Sequence, residues 1–504
     1  MSFAAYKMMH CPTGIWNCAS GFITHSRSDT LHNTIPPIIT PDDLDTSWHP
    51  SRAHFGPVPN LVITSANVLE LYEVRVQNEG ASGRGLDGVS GASLELVCDY
   101  RLHGNVESIA VLSREGSDAS RKRDSIILTF KEAKVSVLEF DDSTHGLRTS
   151  SMHCFEGPEW LHLKRGKESF EMIPVVKVDP QGRCCGVLVY DSQMVILRAL
   201  QTGTNLVADD DALGLGGFNA ARIKSSYIIN LRDLDVKHLK DFVFIHDYIE
   251  PVMVVLHETE LTWTGRLPWK HHTCMVSAFS ISAALKQPTL IWSVGNLPHD
   301  AHYLLSVPSP IGGVLVVCTN TIHYHRESAS CALAVNSYAS SLDNSSELPR
   351  ASFSTELDAS TATWLLNDVA LLSSKSGELL LLTLIFDGRV VQRIDLSKSK
   401  ASVLTSGITT LGSSLFFLGS RVGDSLLVQY ACGSAASVFP AGSKEEVGDI
   451  DGDSVPAKRI RRSSSDILHD MASVDELSLY GTSTNNTELS QVLSIGFYTL
   501  ICPI

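Results

Sequence analysis

Apolar and polar positions along this chain recur in one small unit: an apolar β-type run, a tight polar turn and a second β-type run. The first copies are LVITSANVLELYEV (Leu61 to Val74), SIILTFKEAKVSVLEF (Ser125 to Phe140) and CCGVLVYDSQMVILRAL (Cys184 to Leu200). PVMVVLHETELTWTG (Pro251 to Gly265) and GGVLVVCTNTIHYHR (Gly312 to Arg326) follow. The last two are DVALLSSKSGELLLLTLIF (Asp368 to Phe386) and LFFLGSRVGDSLLVQY (Leu415 to Tyr430). A repeat of roughly 45–65 residues is the spacing of a β-propeller blade.

The residues between the hairpins fit that reading. A shorter β run precedes most of them: ESIAVLS, VVKVDPQG, FVFIHDYIE, YLLSVPSP and TWLLND. Another follows: LELVCDYRL, LRTSSMHCF, SYIINL, MVSAFSI, ALAVNSYA and VVQRIDL. Four strands per unit is the blade count. Val, Ile, Leu, Tyr and Phe suit a pleated, half-buried surface. The pattern therefore predicts an all-β chain, a seven-bladed β-propeller over residues 1–435. Two or three separate β-sandwiches are the competing arrangement. Even spacing without a linker from Leu61 to Tyr430 favours the ring, and a ring requires its first and last blades to touch. A propeller is first a docking surface, so the expected class moves from enzyme to scaffold.

Composition narrows this further. The chain is 43% hydrophobic and 19% charged, a globular balance. No apolar run reaches the ~18 residues of a membrane span, and the N-terminus has no secretory pattern. Eleven cysteines without a CxxC pair read as reduced thiols. A net charge of −15 argues against bulk electrostatic grip on nucleic acid.

The character changes after Gly433. Residues 436–490 are polar, acidic and Ser-rich, and are expected to form a disordered linker. Within it Lys458, Arg459, Arg461 and Arg462 form a compact basic run, read as a nuclear localisation signal. Ser463, Ser464 and Ser465 follow directly, and phosphorylation there would offset the basic charge. Arg121, Lys122 and Arg123 read as a solvated turn. Residues 491–504 form a short apolar tail.

Several motifs suggest chemistry and fail on context. Gly423-Asp424-Ser425-Leu426 spells a hydrolase string, but a strand follows where a nucleophile elbow needs a helix. Asp449, Asp451 and Asp453 open like a calcium loop, yet its sixth and twelfth positions are Ser454 and Ile460. His271, His272 and Cys274 lack a second ligand pair at finger spacing. His323 and His325 share one strand face and read as surface or core histidines. Gly214 to Gly217 has no preceding strand for a phosphate loop, and reads with Asp209 to Asp211 as a blade connection. No cofactor, metal, catalytic or small-molecule site is expected.

FFLGSRVGDSLLVQY closely resembles the strand that ends the first propeller in a family of triple-propeller scaffolds. That family includes the large damaged-DNA-binding subunit, a subunit of the U2-associated splicing complex, and the largest subunit of the cleavage and polyadenylation specificity factor. PTGIWNCASGFITHS, VKVDPQGRCCGVLVYDSQMVIL, SYIINLRDLDVKHLKDFVFIHDYIEPVMVVLHETELTWTGRL, IWSVGNLPHDAHYLLSVPSPIGGVLVV and PAKRIRR resemble the polyadenylation branch. The resemblance covers roughly Pro12 to Gln491 and implies a nuclear, non-catalytic scaffold of pre-mRNA 3′-end processing. It implies a WD-repeat subunit and a CCCH zinc-finger subunit as partners, which read the AAUAAA signal. Contact with pre-mRNA is then indirect or weak. Other branches imply an adaptor of a ubiquitin ligase or a splicing complex, and a propeller enzyme is the remaining alternative. The family continues into further propellers, whereas VLSIGFYTLICPI does not resemble its next strand, so a truncated form is expected.

Overall fold

Each apolar hairpin pairs with its flanking runs into an antiparallel meander, and seven such sheets make the ring. The computed structural model describes residues 14–27, 58–78, 89–113, 123–131, 133–199, 223–267, 269–282, 286–339, 348–434, 476–478 and 491–499. Blade 1 comprises β1 (Asn17–Gly21), β2 (Asn60–Ser65), β3 (Val68–Asn78) and β4 (Val89–Arg101). Blade 2 comprises β5 (Val106–Leu112), β6 (Ser125–Phe130), β7 (Lys134–Asp141) and β8 (Gly146–Cys154). Blade 3 comprises β9 (Val175–Val178), β10 (Cys184–Val189), β11 (Gln193–Ala199) and β12 (Ile223–Asn230). Blade 4 comprises β13 (His238–Ile245), β14 (Val252–Glu258), β15 (His272–Ile281) and β16 (Pro288–Pro298). Blade 5 comprises β17 (Ala301–Ser306), β18 (Val314–Cys318), β19 (Thr321–Arg326) and β20 (Ala329–Ala334). Blade 6 comprises β21 (Thr361–Trp364), β22 (Val369–Ser373), β23 (Glu378–Asp387) and β24 (Val390–Ala401). Blade 7 comprises β25 (Thr405–Leu411), β26 (Leu415–Ser420) and β27 (Leu426–Ser434), with β28 (Glu476–Ser478) and β29 (Gln491–Thr499) outside them.

The second strand of each blade is an unbroken apolar run because both of its faces are covered. Every residue of β2, β10, β14, β18, β22 and β26 is buried. Successive side chains point to opposite faces of a sheet, so one strand feeds two cores. Leu61 and Ile63 pack toward blade 7, beside Leu411, Leu415, Phe417 and Leu427. Val62, between them, packs toward blade 2 with Val106, Ile126 and Leu128. Five further clusters join blades 2–3, 3–4, 4–5, 5–6 and 6–7. The first and last blades are therefore neighbours, and the ring is closed.

Two strand assignments differ from the sequence pattern. The expected second run of the fourth hairpin, Leu261 to Gly265, is a loop, and β15 takes its place in register with β14. The side chain of Glu258 causes the change. Its Oε2 accepts the Thr262 N–H at 3.0 Å, and its Oε1 accepts from Thr273 Oγ1 at 3.3 Å, so the chain turns away and re-enters at His272. In blade 7, β29 lies antiparallel to β27 from Leu426↔Thr499 to Ser434↔Gln491. Residues 491–499, which the sequence pattern sets apart from the propeller, thus supply an outer strand that covers the edge of β27. The remainder of residues 436–490, apart from β28, lies outside the described residues.

Beyond β1 the chain is fixed by a buried amide. Asn60, fully buried, accepts the N–H groups of Ile23 and Thr24 at 3.0 Å each through Oδ1. Its Nδ2 donates to Tyr72 O at 3.3 Å. Asn60→Ala leaves two donors without this acceptor and is expected to lower stability by about 1–3 kcal/mol. Equilibrium urea unfolding checks this, and a midpoint equal to that of the wild type contradicts it.

Candidate docking face

The meander decides which loops share one end of the ring. In blades 1–6 the segment leaving the fourth strand hydrogen-bonds to the turn between the second and third strands of the same blade. The N–H of Leu102 donates to Asn67 O, Phe155 to Ala133 O and Leu231 to Ser192 O. His299 donates to His271 O, Val335 to Asn320 O and Ser402 to Gly377 O. Lead-ins to the innermost strands and second-to-third turns therefore lie together. Trp16, Trp160, Trp263 and Trp269 all belong to such segments.

At the blade 7–1 seam the GSR string does structural work. The Ile15 N–H donates to Ser420 O at 2.9 Å, and Ser406 Oγ donates to Gly419 O at 3.1 Å. The Arg421 guanidinium lies 4.6 Å from the Trp16 ring centre. Gly14 is required here, since a Cβ would sit 2.6 Å from Arg421 O. Ser425 Oγ accepts the Ser420 N–H at 3.0 Å, so the GDSL string is a tight turn between β26 and β27.

Between blades 2 and 3 a 3₁₀ turn (Pro158–Trp160) and a short helix (Leu161–Lys164) lie over the outer part of blade 3. They form one wall of a cleft of about 420 Å³, with Phe155, Trp160, His162 and Leu163 facing Gln193 and Tyr227. Trp160 meets Phe155 edge-on at 5.7 Å between ring centres. Tyr190 Oη donates to Phe155 O at 2.9 Å and fixes the approach. Burial pushes the Tyr227 phenol up to about 12, so it stays protonated and able to donate at neutral pH.

Blade 4 carries two exposed tryptophans. Trp263 is 64% exposed and Trp269 90%, on a loop of consecutive turns. The Arg266 N–H donates to Trp263 O, and those of Trp269 and Lys270 to Arg266 O, each at 2.9 Å. Beneath it, Lys240 Nζ sits 3.0 Å from Glu258 Oε1 and donates to His299 O at 2.5 Å. Burial pushes the Glu258 carboxyl up, but the hydrogen bonds and charge of Lys240 and the Thr262 N–H outweigh it. The net position is below the ordinary range. Cys274 Sγ lies 3.5 Å from Glu258 Oε1, and burial pushes this thiol up to about 11.

The two histidines of β19 pack against each other. His323 and His325 stack at 5.9 Å with planes 10° apart on β19. Burial lowers them to about 3 and about 4, so both rings are neutral at physiological pH. His271 and His299 lie 5.9 Å apart. Among the described residues no group of three or more His, Cys, Asp or Glu is placed to hold a metal ion. Arg123 pairs with Asp142 at 2.9 Å. Lys458, Arg459, Arg461, Arg462, Ser463, Ser464 and Ser465 lie outside the described residues, as do Arg121, Lys122, residues 209–217 and the aspartates at 449–453. The exposed tryptophan loop is not foreseen by the hairpin pattern. Its signal is Gly265 and Pro268, which interrupt the apolar alternation after Glu258.

The closed seven-bladed ring, with exposed aromatic residues on loops at one end, defines a β-propeller protein. A family model described as the RSE1/DDB1/CPSF1 first beta-propeller matches residues 57–465. The chain is 62% identical over 502 residues to cleavage and polyadenylation specificity factor subunit 1 of Arabidopsis thaliana. It is 54% identical over 510 residues to the probable subunit 1 of Oryza sativa, and 31% over 450 residues to subunit 1 of Drosophila melanogaster. These matches cover 97%, 98% and 85% of this chain, and 35%, 35% and 30% of the relatives, so the chain spans about a third of their length. The chain belongs to the RSE1/DDB1/CPSF1 first-propeller family.

Glu258 makes blade 4 sensitive to acid. A carboxylate held below its unfolded value contributes stability that is present above roughly pH 4.3 and is lost as pH falls through the folded value. Thermal unfolding of the wild type should therefore lose this contribution below about pH 4.3, and Glu258→Gln should flatten that part of the profile. Parallel profiles for the two proteins contradict the assignment.

Proposed function

We propose that this propeller is a non-catalytic scaffold module of pre-mRNA 3′-end processing. The observation that carries the reading is its 62% identity to a protein named as a cleavage and polyadenylation specificity factor subunit. The aromatic end of the ring supports it, because Trp and Arg are enriched where proteins dock. In this role the ring arranges the WD-repeat and CCCH zinc-finger subunits that read AAUAAA. It needs no cofactor, and its own RNA contact is weak and indifferent to the hexamer. The cleft around Trp160 is the anchor point for a protein partner. Nuclear entry runs through Lys458, Arg459, Arg461 and Arg462, and phosphorylation of Ser463, Ser464 or Ser465 opposes it by adding negative charge.

Purification of the tagged chain from nuclear extract tests the scaffold role. The two signal-reading subunits should co-purify, and Trp160→Ala should reduce their recovery about tenfold, the scale of an interface hot spot. Recovery of ubiquitin-ligase or splicing subunits in their place overturns the proposal. Replacing the four basic residues by Ala should shift a fluorescent fusion toward the cytoplasm. An unchanged nuclear signal removes the import assignment.

A further inference from the structure

We infer that the Trp263–Trp269 loop of blade 4 is a stacking platform for single-stranded RNA, an inference that rests on the reading of the chain as a 3′-end processing module. The loop presents two indole rings, 64% and 90% exposed, on a backbone held by its own turns and by Glu258 at its base. Every base has a π-face, so paired exposed aromatics beside cations bind single strands with little sequence preference.

Charge selects RNA as the occupant. The chain carries −15 overall, yet residues 259–273 hold two basic residues, Arg266 and Lys270, against the single acid Glu260, with His271 and His272 beside them as neutral hydrogen-bonding rings. Glu260 is paired with Arg266, so these two charges cancel and Lys270 carries the net positive charge of the loop. Lys270 and His271 are exposed next to Trp269, positioned to meet phosphates flanking a stacked base. Lys237, at the neighbouring lead-in, is paired with Asp235 at 3.2 Å, so that acid is also compensated. This loop is thus an aromatic, cation-bearing patch on an acidic molecule.

The test is fluorescence anisotropy of the full chain with labelled 12-nucleotide oligo(U), and with an AAUAAA RNA and its point mutant. Wild type should bind all three within a few-fold of one another, and RNA should quench its tryptophan emission. Stacking is worth roughly tenfold per base, so Trp263→Ala with Trp269→Ala should weaken binding about a hundredfold. The Trp263→Phe, Trp269→Phe pair should retain binding within a few-fold. Both side chains are exposed, so the Ala pair should melt like the wild type. Replacing Lys458, Arg459, Arg461 and Arg462 should weaken binding much less and change mainly its salt dependence. The inference is overturned if wild type does not bind at micromolar concentration, or if the Ala pair binds as tightly as wild type. It is also overturned if the Ala pair loses a protein subunit from the purified complex while RNA affinity is unchanged. Failure of the scaffold reading would appear instead as failed subunit capture.

Discussion

Everything in this ring depends on the packing of one blade against the next. A single four-stranded sheet has two apolar faces and no means of covering either. The ring resolves this by giving each sheet two neighbours, so that Leu61 and Ile63 enter one core and Val62 another. The arrangement works only if the last blade meets the first. At that seam apolar contact is supplemented by the Ile15–Ser420 backbone bond and the Arg421–Trp16 contact, where Gly14 lets the strands approach. Closure leaves no terminal sheet face exposed, which an open stack of sheets could not avoid.

A scaffold so interlocked is stiff in its strands and free to vary in its turns. Function is accordingly sought at the ends of the strands, not inside the sheets. The inward polar groups support this division. Asn60, Glu258 and the bidentate Asp179–Arg183 pair each hold a connection in place. Arg183 also donates to Tyr248 O at 2.9 Å, tying a turn of blade 3 to one of blade 4. Buried polarity here positions loops.

The ring was legible because its second strands are covered on both sides, which makes them continuous apolar runs such as VMVVL and LFFL. Six of the seven hairpins could be read from those runs and their turns. The fourth failed because LTWTG looks like a strand by composition. Nothing local shows that Glu258 will capture the Thr262 N–H and turn the chain outward. β29 was illegible for a related reason: its partner β27 is remote in sequence, and pairing across such a distance leaves no local trace. The aromatic end is a product of topology, since Trp16 and Arg421 meet only when the ring closes. The family resemblance carried by GSRVGDSLL lies at the same seam, so its most recognisable string is also one that fastens the ring.

The pairing of Ser434 with Gln491 has a topological consequence. The chain leaves blade 7 and returns to it at adjacent points, so the intervening stretch is an insertion and not a tail. A cut between Ser434 and Glu476 would yield two polypeptides still joined by the β27–β29 ladder. Lengthening or shortening that stretch would leave the geometry of the seven blades unaltered. Evolution can therefore revise this segment while the ring stays the same.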